Sequence, residues 1–186
     1  FKHMKSNGLL EKMQSAYKPG HSCETALLRI QNDLLQAIDK GKGCLLVLLD
    51  LSAAFDTVDH HLLLQLLESH LHVKGSALQL LRSYLTGRTQ CVSISGIQSE
   101  LVELLYGVPQ GSVLGPIKFC IYTLPLGAIL RFHDIEYHVY ADDTQLYLAF
   151  DLHNDPNPSL SKLCSAIVDV RLWMKSNKLK INDDKT

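Results

Sequence analysis

No C-x-x-C pair occurs in this chain, and none of its five cysteines, Cys23, Cys44, Cys91, Cys120 and Cys164, has a His at zinc-ligand spacing. A sequence-evident zinc site is therefore excluded. An odd number of scattered cysteines also argues against a disulfide framework, so they are read as reduced core thiols in an intracellular protein. Excess basic charge is missing too: 18 Lys and Arg stand against 19 Asp and Glu, for a net charge of -1 and a pI of about 6.8. The global positive field that usually announces a nucleic-acid binder is absent. So are long apolar runs. Cys44 to Leu49 is far too short to cross a bilayer, and no signal peptide opens the chain, so a soluble protein with no membrane partner is expected.

What is present is a globular composition, 186 residues with 46% hydrophobic and 20% charged, which leads to the expectation of one compact unit. The charge is uneven. Lys2, Lys5, Lys12 and Lys18 crowd the start, and Lys175, Lys178, Lys180 and Lys185 the end; such runs are either solvated faces or contacts for an acidic partner. The chain lacks an initiating Met and stops after a strand-like segment, so a piece of a longer protein is expected.

Lys18-Pro19-Gly20 is a turn signal, after which Ser22 is a reasonable N-cap and Leu27, Ile30, Leu34, Leu35 and Ile38 recur at helical spacing until Gly41. Cys44 to Leu51 reads as a central strand buried on both faces, with Asp50 at its carboxyl end. A charge there needs a partner. Asp59 is expected to cap a helix over His60 to Leu71, and a second helix spans Ser76 to Leu85. Thr89 to Ile94 and Gln98 to Leu105 alternate as a hairpin turning at Gly96. A breaker cluster, Gly107 to Ser112, then precedes one long core helix within Val113 to Leu130, with Pro116 near its start. Leu160 to Met174 returns to helical period, and Lys178 to Ile181 reads as a last strand.

Tyr140-Ala141-Asp142-Asp143 lies between two strand-like runs, Ile135 to Ala141 and Thr144 to Phe150, which puts both acids at a hairpin turn. The pair has two readings. Asp is a good turn former; equally, two carboxylates at close range repel unless a cation joins them, as at a divalent-metal site. Were the strand ending at Asp50 a neighbour of this hairpin in one antiparallel sheet, three carboxylates would form one cluster. Such a cluster suits two Mg²⁺ ions roughly 3.5–4 Å apart, which activate a 3′-hydroxyl and stabilise the leaving oxygen of an in-line displacement.

Three stretches, Leu49 to His60 (LDLSAAFDTVDH), Gly107 to Pro116 (GVPQGSVLGP) and Tyr140 to Asp143 (YADD), resemble in order and spacing successive motifs of non-long-terminal-repeat, LINE-type retrotransposon reverse transcriptases. Ser15 to Leu27 and Trp173 to Thr186 are similar to the flanking finger motif and the last palm motif, so the resemblance covers nearly the whole chain. It implies an α+β fold: a polymerase palm with a small antiparallel sheet packed by helices, plus partial fingers, with the thumb absent. A fingers remnant would occupy about 1–43, and a palm with inserted fingers helices about 44–186. The implied activity is RNA-directed DNA polymerisation with an RNA template, a DNA primer and deoxynucleoside triphosphates as partners, and two Mg²⁺ ions, with Mn²⁺ as the alternative, as cofactors. Asp50 and Asp142 would be metal ligands with Asp143 supporting. Phe55 matches the steric gate that crowds a ribose 2′-hydroxyl. Gln110 and Gly111 match the loop against the incoming nucleotide and template, Lys18 a fingers phosphate contact, and Lys185 a proton donor to the departing pyrophosphate.

Three positions depart from that pattern. Lys18 stands where an Arg is usual and lacks its bidentate fork, Asp183 stands where Pro is common, and Lys118 stands where an aliphatic residue is usual. Two other functions share part of the pattern. An RNA-dependent RNA polymerase has the same carboxylate logic but wants an acid near Phe55; a domesticated fragment would keep the fold as a binding module.

Overall fold

The computed structural model describes Met4 and residues 6–109 and 111–186. In chain order its elements are helix α1 (Cys23–Asp39), strand β1 (Lys42–Leu49) and helices α2 (His60–Ser69) and α3 (Gly75–Leu85). Four two-residue strands follow, β2 (Thr89–Gln90), β3 (Ser93–Ile94), β4 (Ile97–Gln98) and β5 (Val102–Glu103). Then come α4 (Leu114–Tyr122), α5 (Leu124–Phe132), β6 (Glu136–Tyr140), β7 (Asp143–Asp151) and α6 (Asn157–Ser176). The α+β class is as expected. Instead of one compact unit, however, contacts divide the chain into two: Leu10–Ala54 with Thr123–Thr186, and Phe55–Tyr122 with the described part of Phe1–Leu9. The segment between the β1 and β6 regions carries enough apolar residues for a core of its own.

The first unit is built on an antiparallel sheet in the order β1-β7-β6. β1 is thus an edge strand and not the central one expected of it; β7 takes the centre, and Leu46 and Leu48 of β1 stay 45% and 53% exposed. An apolar run marks a strand but does not say which neighbour covers it. Alternation along β6 and β7 sends Tyr147 to one face, where its hydroxyl donates to Asp33 of α1, and Tyr137 to the other, beside Arg131 of α5. Helices therefore pack on both faces, with Leu130, Leu146, Ala166 and Val170 fully buried. α1 begins as expected at Ser22, in a capping box with Thr25. The strand expected over Lys178 to Ile181 shrinks to a single bridge, Leu51 to Ile181, flanked by the bonds Ser52 N to Lys180 O and Asn182 N to Asp50 O, each 2.9 Å.

The second unit is helical, with a core of Val58, Leu63, Leu85 and Phe119. Asp59 caps α2 as expected, its carboxylate accepting from Leu62 N at 3.0 Å. The hairpin around Ser95-Gly96 forms as two short ladders, β3 with β4 and β2 with β5, in place of one continuous pairing. The single core helix expected within Val113 to Leu130 is two, α4 and α5, parted at Thr123. Pro125 explains the break: without an N–H it is tolerated in a first helical turn and not in an interior. Ser112 starts α4, its hydroxyl accepting from Gly115 N at 3.0 Å.

Candidate active site

β1 and β7 pair in the register Leu49 with Thr144, so the next positions outward are Asp50 and Asp143. β6 and β7 close at Tyr140 and Asp143 through the two-residue turn Ala141-Asp142. All three acids therefore meet at one end of the sheet. Their charges interact: burial, then Asp142, then Asp50 raise the Asp143 pKa above the ordinary carboxylate value. Among the described residues no Lys, Arg or His forms an ion pair with any of the three. Among the described residues the Asp50 carboxylate has one hydrogen-bond partner, Asn182 Nδ2, which donates to its Oδ2 at 3.0 Å. As the side chains stand they do not close on one point, and no set of three His, Cys, Asp or Glu among the described residues is arranged as a finished metal cage. The donor set still suits a hard cation, since it is all carboxylate oxygen and carries an uncompensated charge that a divalent ion would relieve.

The other residues singled out in the sequence have the following surroundings. Lys185 sits in the last turn, its N–H donating to Asn182 O at 3.1 Å. Lys18 donates from Nζ to Glu11 O at 2.8 Å. Phe55 lies in the helical unit, stacked on the buried Phe119 with ring centroids 4.8 Å apart, while its carbonyl accepts from Val108 N at 2.8 Å. Gly111 has φ +77°, which favours glycine, and open space where a Cβ would sit. Gln110 lies outside the described residues. Gly107 faces the backbone of Asp56, where a Cβ would come within 3.1 Å of its carbonyl oxygen.

A family model described as "Reverse transcriptase (RNA-dependent DNA polymerase)" matches residues 2–186. The chain belongs to the reverse transcriptase family. Among curated relatives it is 29% identical over 188 residues to the "Probable RNA-directed DNA polymerase from transposon BS" of Drosophila melanogaster, covering 98% of this chain and 20% of that protein. It is 35% identical over 120 residues to the corresponding polymerase of the X-element from the same organism, covering 64% of this chain and 13% of the relative. The chain thus spans about a fifth or less of the curated relatives' length. Among solved structures, telomerase from Candida albicans superposes with a TM-score of 0.72 at 15% identity, over 99% of this chain and 33% of the telomerase. Apo telomerase from Candida tropicalis gives 0.68 at 16%, over 94% and 35%. At such identity the likeness concerns the fold, which is that of a reverse transcriptase palm-like fragment.

Two residues of this reverse transcriptase domain escaped the sequence reading. Asn182 grips Asp50 twice, by the side-chain bond and by donating its N–H to the Asp50 carbonyl. Gln14, 5% exposed, bonds to the backbone of Ala141 in the acidic turn. Neither has a local signal, because the partners lie 132 and 127 residues away in sequence. Removing the Asn182 amide frees the Asp50 carboxylate to turn, so Asn182→Ala is expected to weaken Mn²⁺ binding about tenfold. The unbound ion's electron spin resonance signal measures this, and unchanged affinity would show that the bond does not orient Asp50.

Proposed function

We propose that this domain supplies the nucleotidyl-transfer site of a longer retrotransposon enzyme, which extends a DNA primer with deoxynucleotides on an RNA template. The observation that carries the reading is the meeting of Asp50, Asp142 and Asp143 at one strand end, where burial and the charges of the other two raise the Asp143 pKa and a divalent cation would relieve the repulsion. Asp50 and Asp142 would hold two Mg²⁺ ions, or Mn²⁺, with Asp143 in support. When bound, the ions supply the Lewis acidity of two-metal phosphoryl transfer. The chain's own part is to fix the carboxylates: Asn182 restrains Asp50, and the β6-β7 hairpin presents Asp142. From the family resemblance, Lys185 would give a proton to the departing pyrophosphate, Gln110 and Gly111 would lie against nucleotide and template, and Lys18 would contact phosphate as a point charge. Primer extension by the longer protein on an RNA template, with and without Mg²⁺, tests the reading. Extension that persists in a chelator would overturn it.

Phe55 is assigned on the same basis to discrimination against ribonucleotides. Phe55→Val should raise the ribonucleotide to deoxynucleotide ratio of kcat/KM about tenfold, the scale on which one pocket contact discriminates. Because the ring also stacks on Phe119, the variant should lose about 1–3 kcal/mol of stability. An unchanged ratio with lowered stability would leave Phe55 a core residue alone.

A further inference from the structure

The turn that presents Asp142 holds a strained residue. Ala141 has φ +57°, a left-handed conformation that costs a non-glycine residue about 1 kcal/mol or more. In a two-residue hairpin loop, positive φ at the first central position favours glycine. This strained backbone is held by one distant side chain. The Ala141 N–H donates to Gln14 Oε1 at 3.0 Å, and Gln14 Nε2 donates to the Ala141 carbonyl at 3.2 Å. The amide thus pairs with Ala141 as a neighbouring strand would, using donor and acceptor together. Gln14 is itself fixed. Its backbone lies along β6 in a parallel bridge to Val139, through Val139 N to Met13 O at 3.0 Å and Ser15 N to Val139 O at 2.9 Å. Its Oε1 accepts a second bond, from Ala16 N at 2.9 Å. Next to it, Ser15 Oγ bonds His138 Nε2 at 2.8 Å, which ties the same segment to β6 once more.

From this geometry we infer that Gln14 is a positioning residue for nucleotidyl transfer: its buried amide clamps Ala141 in the left-handed conformation and so aims Asp142. The inference rests on the metal-binding reading of the three acids. Two neutral bonds contribute about 1–3 kcal/mol net, enough to offset the strain, so without them other turn conformations compete with the one that presents Asp142. Replacing Ala141 by glycine removes the strain at its source, and the clamp then matters less.

The test combines both residues. Mn²⁺ affinity is measured by electron spin resonance on the 186-residue chain and its variants, with circular dichroism confirming that each is folded at the temperature used. Gln14→Met, close in shape but lacking the amide, is expected to weaken Mn²⁺ about tenfold, and adding Ala141→Gly to recover most of that loss. Unchanged affinity in folded Gln14→Met overturns the inference. So does a loss that Ala141→Gly leaves untouched, because support from general packing would not be rescued at the turn. Hydrogen exchange on the unaltered chain gives a reading that does not depend on the variants folding: the Ala141 amide should exchange at least about a hundredfold more slowly than that of Asp142. Equal rates would overturn the clamp. Should the unaltered chain bind Mn²⁺ no better than Asp142→Asn does, the metal reading itself falls, a failure distinct from that of Gln14.

Discussion

Asp142→Asn is expected to lower kcat for Mg²⁺-dependent primer extension by about a thousandfold or more, while making the metal-free domain more stable. The first effect follows from the several kcal/mol of charge stabilisation that a well-held ion supplies, at a factor of ten for each 1.4 kcal/mol. The second follows from the site itself. Burial and the charges of Asp142 and Asp50 hold the Asp143 pKa above its ordinary value of 3.8, so the folded chain binds this proton more tightly than the unfolded chain does. Stability is then lost as pH rises from 3.8 through the raised value, so a penalty stands at neutral pH. Deleting the Asp142 charge relieves part of it. Thermal melts in chelator should therefore show the variant above the parent at pH 7, with the difference disappearing on acidification below pH 3.8. A variant that keeps its activity, or melts lower at pH 7, would contradict the assignment. Loss of activity from simple unfolding carries the opposite stability sign, which separates the two explanations.

The parts legible in the sequence were those whose cause is local. Ser22 and Asp59 were readable as caps because a cap is settled within three residues, and the β6-β7 hairpin because its pattern and turn are contiguous. The acids at the strand ends were readable for the same reason. The place of β1 at the edge was not, since an apolar strand carries no record of which strand lies beside it. Nor was the grip of Gln14 and Asn182 on the acids, which exists only once distant segments meet. The break between α4 and α5 was a missed local signal: Pro125 was in plain view, but the apolar run around it hid the interruption. Lys118 stands where an aliphatic residue is usual, and its environment gives that departure a measurable consequence.

Lys118 lies in α4 with 2% of its surface exposed, and its Nζ sits 3.2 Å from the centroid of the Tyr84 ring with no hydrogen-bond partner among the described residues. Burial, and next the charge of Arg88, push its pKa down from 10.5 to about 8. The ammonium is therefore a burden on the fold at neutral pH, of up to about 3 kcal/mol at 1.4 kcal/mol for each pKa unit. Attraction to the ring, about 1 kcal/mol, offsets part of it. Lys118→Met keeps the unbranched shape and removes both charge and orphaned donor, so the variant should be about 2 kcal/mol more stable at pH 7. The pH dependence carries the sign. Because the folded pKa is the lower one, the unfolded chain binds more protons between about pH 8 and 10.5, and the parent gains stability as pH rises through that window. Tyr122, in the same helix, limits the useful range: burial pushes its phenol from 10.0 up to about 12, so stability is lost again above pH 10. Urea unfolding followed by circular dichroism at pH 7 and pH 9.5 should show the advantage of Lys118→Met shrinking by most of its value. An advantage that stays constant would mean that Lys118 remains charged in the folded chain at both pH values. A variant less stable at pH 7 would mean that the Tyr84 contact outweighs the cost of burying the charge.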